Sequence, residues 1–91
     1  MTKTMTGGEA IVRTLSRFGV DTIFGLPGIQ LDPLFDALHG QRQSMRTYHT
    51  RHEQGSAYMA LGYALASGKP GVFAVVPGPG ILNATAALST A

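Results

Sequence analysis

The chain has 91 residues, 44% hydrophobic and 13% charged with twelve glycines, which describes a compact, glycine-punctuated domain with a modest core and excludes a disordered chain. Seven Lys and Arg against five acids leave a formal charge of +2, and the arginines are scattered, so no nucleic-acid footprint is expected. Cysteine is absent, which rules out disulfides and thiolate metal sites and makes a reducing cytoplasm the expected compartment.

Thr6-Gly7-Gly8-Glu9 has the spacing of a capping box and predicts a helix start, with Ile11, Val12, Leu15 and Phe18 as its apolar side and Gly19 as the left-handed residue that ends it. Val20 to Phe24 reads as a strand, broken by Gly25-Leu26-Pro27-Gly28. The next helix is expected at Asp32-Pro33, with Asp32 as cap and Pro33 in the first helical position; Leu34, Phe35 and Leu38 face inward and Gly40 ends it. Met45 to His49 reads as a second strand leading into a helix that opens at Glu53.

On that helix Tyr58, Leu61 and Leu65 mark one expected apolar face, and Gly55, Met59, Gly62 and Ala66 a strip bare enough for another backbone to come close. Gly68 to Gly71 stops it. The run Gly71 to Val76 has the unbroken apolar character of a strand covered on both faces, and it is far too short to cross a bilayer. With no secretory signal in the first twenty residues, a soluble protein without membrane attachment is expected. A last helix is predicted from about Ile81, still running at Ala91, which suggests a truncated domain.

Helices and strands alternate with short links, so the expected fold is α/β, a doubly wound parallel sheet. Ligands in such sheets bind beyond the carboxyl ends of the strands. Those ends carry Gly25 to Gly28, His49 to Glu53 and Pro77 to Gly80. Glu53 has two readings. As a working acid, partial burial under apolar neighbours would raise its pKa; alternatively it complements the dipole of its helix. His49 and His52 form H-x-x-H without a third ligand, so a strand-end and a linker histidine are expected and no metal site. Arg46 and Arg51 could meet an anionic substrate or a partner subunit, or serve as solvated surface groups.

Arg51-His52-Glu53-Gln54-Gly55, Gly62-Tyr63-Ala64 and Gly68-Lys69-Pro70-Gly71-Val72 together resemble the pyrimidine-binding domain of thiamine-diphosphate-dependent enzymes, in particular the acetolactate synthase and 2-oxo-acid decarboxylase or carboligase group. Gly19 to Gly28, Phe35 to Leu38, and Gly78-Pro79-Gly80 with Asn83 extend the resemblance over about residues 7 to 91. The resemblance implies a flavodoxin-like domain, incomplete here, with residues 1–91 as its N-terminal part.

It also implies that Glu53 binds ring nitrogen N1′ of the cofactor's aminopyrimidine and promotes the tautomer that deprotonates thiazolium C2, which then attacks a 2-oxo acid. Pro27 and Gly28, with Gly25, would close against the reaction centre, and Pro79, Gly80 and Asn83 would lie near the aminopyrimidine; turn and capping geometry is the alternative for these positions. Ile29 and Gln30 stand where the group usually has smaller residues, and Gln30 either faces substrate or leads into the Asp32 cap.

In the resembled enzymes the diphosphate and its Mg2+ are held by another domain, whose Gly-Asp-Gly motif this chain lacks, and the site forms between subunits. A homodimer or tetramer is thus implied, and this chain alone is not expected to be active. FAD, used by some relatives, is possible but maps to a region absent here. The alternative from the residues themselves is a non-catalytic doubly wound domain that holds a phosphate or nucleotide at Gly80 and the helix start after it.

Overall fold

The computed structural model describes residues 4–91. Helix α1, Gly7–Arg17, opens on the expected capping box: the Glu9 N–H donates to Thr6 Oγ1 over 3.1 Å and the Thr6 N–H to the Glu9 carboxylate over 3.4 Å. It closes on Gly19, whose φ of +81° lets the N–H groups of Gly19 and Val20 reach the carbonyls of Ser16 and Leu15, each at 3.0 Å. The inward face is Gly8, Val12 and Leu15. Ile11 and Phe18, expected on that face, are 50% and 80% exposed. Gly8 lies against the Pro33 carbonyl at the start of the second helix, and that close approach turns α1 so that the stripe through Val12 points in.

Strand β1, Thr22–Gly25, is buried throughout and lies between β2, Arg46–His49, and β3, Phe73–Ala74, in a parallel sheet of order β2-β1-β3. Ile23 pairs with Thr47 and Phe24 with Phe73. Successive side chains take opposite faces. Ile23, with Val72 and Ala74, joins Val12, Ala37, Leu38 and Met45 in one core. On the other face Phe24 stacks on Tyr48 at 5.7 Å and meets Tyr63 edge-on at 5.9 Å, while Phe73 packs against Ala57, Ala84 and Ala87. Helices thus cover both sides of the sheet, as the doubly wound reading requires. β3 is shorter and less covered than its apolar run implied, because it is an edge strand here; residues 72–76 are all half-buried.

Helix α2, Asp32–Gly40, follows a 3-10 turn over Ile29–Leu31. Asp32 is not its cap. The Leu31 N–H already bonds the Gly28 carbonyl at 2.8 Å, so the chain coils before Asp32 is reached, Leu31 takes the cap position, and no side chain caps the helix. Leu38 is buried, with Leu34 and Phe35 packed beside it.

Helix α3, Glu53–Ser67, ends at Gly68 with φ +72°. Its buried residues are Ser56, Ala57 and Ala60, and neither expected strip points inward: Tyr58 is 40% and Leu65 79% exposed, and a methyl group on Gly62 would meet nothing. Apolar residues surround this helix, so periodicity could not say which side lies on the sheet; the small side chains decide it by letting α3 sit close over Phe24 and Phe73. The tight backbone approach is at Gly71 instead, where a Cβ would overlap the Ala60 carbonyl. The last predicted helix is two short ones, α4 at Pro79–Asn83 and α5 at Thr85–Thr90. No helix of the described residues is long and apolar enough to cross a membrane.

Two glycine substitutions separate the observed packing from the expected one. Gly71→Ala should destabilise the fold by about 1–3 kcal/mol through overpacking against Ala60. Gly62→Ala should stabilise it by roughly 0.5–1 kcal/mol through helix propensity. Urea denaturation of both variants checks the pair, and a loss of stability in Gly62→Ala contradicts this packing.

Candidate functional site

The order β2-β1-β3 reverses direction between β1 and β3, and the crevice beyond the carboxyl ends of those strands is the topological switch point where doubly wound sheets take ligands. The two glycine- and proline-rich stretches, Gly25 to Gly28 and Pro77 to Gly80, meet there with the end of the stretch His49 to Glu53. Gly28, after β1, and Gly80, after β3, both sit against Val76: a Cβ on Gly28 would overlap Val76 Cγ1, and one on Gly80 would come within 2.8 Å of Val76 Cγ2. The same Cβ on Gly80 would stand 3.6 Å from Glu53 Oε2, so the carboxylate lies directly over this bare stretch of backbone.

Glu53 is brought to that rim by a pinned loop. The Thr50 N–H donates to the Gly25 carbonyl at 3.2 Å, and its hydroxyl donates to the His52 carbonyl at 2.8 Å and lies 2.5 Å from Ser56 Oγ. His52 takes the cap position of α3, where its Nδ1 accepts from the Gln54 N–H at 3.0 Å. It is therefore a helix cap and not a linker residue, while His49 stands edge-on to Phe35 at 5.8 Å. Thr50, His52 and Val76 shape the site, and the sequence reading singled out none of them for this. Thr50 lies three residues before Glu53, a spacing at which a hydroxyl can brace a helix start, and that was the signal present in the sequence.

Asn83, at the end of α4, donates from Nδ2 to Glu53 Oε1 over 3.2 Å across thirty residues of sequence. Glu53 Oε2 has no side-chain donor among the described residues. The site therefore joins Glu53, Gly80 and Asn83 directly, with Gly28 one side chain away across Val76. Pro27 is exposed beside Phe35 and His49, and Pro79 starts α4 exposed at the outer side. Gln30 is exposed in the 3-10 turn and leads into no cap at Asp32.

The Glu53 carboxyl is held below its ordinary value near 4.5, first by the hydrogen bond from its own backbone N–H at the helix start, then by the Asn83 amide and the neighbouring His52; partial burial opposes them and loses. Of the two readings of Glu53, the working acid needed burial to dominate and raise the pKa, whereas a carboxylate at the helix start is held in its charged form. Burial does not dominate, because the rim of this sheet leaves the group half open while the helix terminus supplies a donor. The alternative of a phosphate at Gly80 fits poorly: α4 spans five residues, begins with a proline that has no N–H, and Gly80 is buried.

The geometry fits the pyrimidine end of thiamine diphosphate. A ring nitrogen needs an acid with an oxygen that no other side chain holds, and Glu53 Oε2 has no side-chain donor among the described residues; the missing Cβ atoms at Gly28 and Gly80 let both loops close on the Val76 methyl groups beneath that carboxylate. Among the described residues no group of three or more His, Cys, Asp or Glu could hold a metal ion.

Comparison with known proteins agrees with this geometry. Residues 5–91 match the family described as "Thiamine pyrophosphate enzyme, N-terminal TPP binding domain", and the chain belongs to that family. It is 49% identical over 89 residues to the "Probable 2-ketoarginine decarboxylase" of Pseudomonas aeruginosa, an alignment covering 98% of this chain and 16% of that protein. It is 44% identical over 87 residues to the mitochondrial acetolactate synthase catalytic subunit of Saccharomyces cerevisiae, covering 96% of this chain and 12% of that protein. With the acetolactate synthase large subunit of Lactococcus lactis it shares 42% over 89 residues, 98% of this chain and 15% of that one. The chain thus spans 12 to 16% of the length of these three relatives.

Because the folded pKa of Glu53 is depressed, its stabilising contribution is present above about pH 4.5 and is lost as pH falls through that value toward the lower folded pKa. Asn83→Ala removes a donor to the ionised form and should move the Glu53 pKa upward, toward 4.5. A carboxyl-carbon NMR titration of the two proteins reads the shift directly, and an unmoved Glu53 resonance would mean that the Asn83 contact is absent in solution.

Proposed function

We propose that this chain holds the aminopyrimidine end of thiamine diphosphate in a 2-oxo-acid decarboxylase or carboligase, with Glu53 as the catalytic residue that contacts the cofactor. The observation that carries this reading is the carboxylate of Glu53 standing over the Gly80 backbone, one oxygen bonded to Asn83 and the other without a side-chain donor among the described residues. When bound, thiamine diphosphate supplies an acidic thiazolium C2–H and an electron sink for breaking or making a bond at a carbonyl carbon. The protein's share is placement and proton management.

Glu53 would hold ring nitrogen N1′ through Oε2, while Asn83 keeps Oε1 occupied and so fixes the plane of the carboxyl group. Gly28 and Gly80 would let the two loops close on Val76 beneath the ring, with Pro27 and Pro79 stiffening them on either side. A carboxyl that shares a proton with a weakly basic nitrogen near neutral pH needs a raised pKa, and here it is lowered. Burial already acts in the raising direction at Glu53. The proposed role therefore requires further protein over the rim to strengthen that effect, as in an assembled site whose second face comes from elsewhere. We assign the diphosphate, its Mg2+ and any FAD to parts outside these residues, and we expect a homodimer or tetramer, in a reducing cytoplasm to which the absence of cysteine is suited. A 2-oxo acid as substrate fits the names of the relatives.

Glu53→Gln in the intact enzyme should slow exchange of the C2 proton of bound thiamine diphosphate by roughly 10²- to 10⁴-fold, the usual range for losing a positioned proton-transfer group. The exchange is followed by NMR after acid quench in deuterated buffer, with calorimetry confirming that the cofactor still binds. Unchanged exchange with intact binding would favour a domain that holds the cofactor without activating it.

A further inference from the structure

Strand β2 borders a second groove, of about 530 Å³, on the side of the sheet away from β3. Its lining includes the consecutive residues Met45, Arg46, Thr47, Tyr48 and His49. Alternate side chains of a strand point to opposite faces, so only the unpaired edge of the strand can present five successive residues to one groove. The ladder on the other side confirms which backbone groups are spare. The Arg46 N–H bonds the Asp21 carbonyl at 2.8 Å and the Thr50 N–H the Gly25 carbonyl at 3.2 Å, so residues 46, 48 and 50 turn toward β1 while Thr47 and His49 turn their N–H and C=O groups outward.

The lining says what would lie there. Arg42 and Arg46 line the groove and, among the described residues, no Asp or Glu does; Arg42 makes a single side-chain bond there, to the His39 carbonyl at 2.9 Å. Phe35, Leu38 and Pro27 add an apolar floor. A second copy of this edge would set Arg42 and Arg46 against like charges, which argues against self-pairing.

We propose that the free edge of β2 takes an extended, acidic peptide segment as an added strand, its backbone bonded to Thr47 and His49 and its carboxylates facing Arg42 and Arg46. Main-chain bonds supply affinity in this mode and alternate side chains supply selectivity. The groove shares Pro27 with the cofactor site but not Glu53, Gly80 or Asn83, and the β2 edge and its arginines play no part in the cofactor reading, which can fail without touching this one.

The probe is a fluorescein-labelled peptide of alternating glutamate and valine, titrated into the intact protein by fluorescence anisotropy at low and at 0.5 M salt, beside a lysine-valine peptide and an acidic peptide N-methylated at alternate amides. The acidic peptide should bind, the lysine peptide should not, and N-methylation should weaken binding about tenfold or more, as should high salt. Arg42→Ala combined with Arg46→Ala should have a similar effect. Thr47→Pro removes an outward N–H without touching the β1 ladder and should also abolish binding, with the circular dichroism spectrum retained. Absence of binding by the acidic peptide overturns the proposal. So do equal binding of the N-methylated form and full competition by free glutarate, which would reduce the groove to a small-carboxylate site.

Discussion

Val76 is the point on which the site turns. It has glycine on two sides, Gly28 from the loop after β1 and Gly80 from the loop after β3, and neither position has room for a Cβ. That double approach brings together the loops after two strands that are far apart in sequence and sets the Gly80 backbone beneath Glu53. A larger residue at either glycine would push one loop outward, and the Asn83 amide that steadies Glu53 would move with α4.

The electrostatics at Glu53 follow from the same geometry. A carboxyl at the first position of a helix meets the helix's own N–H groups, and these favour the charged form. Burial pulls the other way and is limited here because the rim is open. Hydrogen bonds from the helix start and from Asn83 therefore set the direction of the shift, with burial as the opposing influence.

At the other end of α3, Tyr63 donates to Asp21 at 3.1 Å beside Thr22, which bonds the same carboxylate at 3.0 Å. Together with the edge-on contact of Tyr63 on Phe24, which itself stacks on Tyr48, this fastens the helix to the central strand at its far end, so that its N-terminus is held where Glu53 is needed. The small buried residues Ser56, Ala57 and Ala60 set how close the helix can lie.

Local chemistry was readable from residue order. The capping box at Thr6 and Glu9, the left-handed glycines 19 and 68, the strand cores and the start of α3 at Glu53 each depend on neighbours a few positions away, and the alternation of helix and strand left few topologies besides a parallel, doubly wound sheet. The resemblance carried by Arg51 to Gly55 pointed to the family to which the chain belongs. Which side of α1 and α3 faces inward, whether Asp32 caps, how the last helix divides and which way the Glu53 pKa moves were settled only by tertiary structure. Each depends on an approach between distant segments, Gly8 on Pro33, Gly71 on Ala60 or Asn83 on Glu53, and hydrophobic period carries no record of such approaches when apolar residues surround a helix or when one hydrogen bond outweighs partial burial.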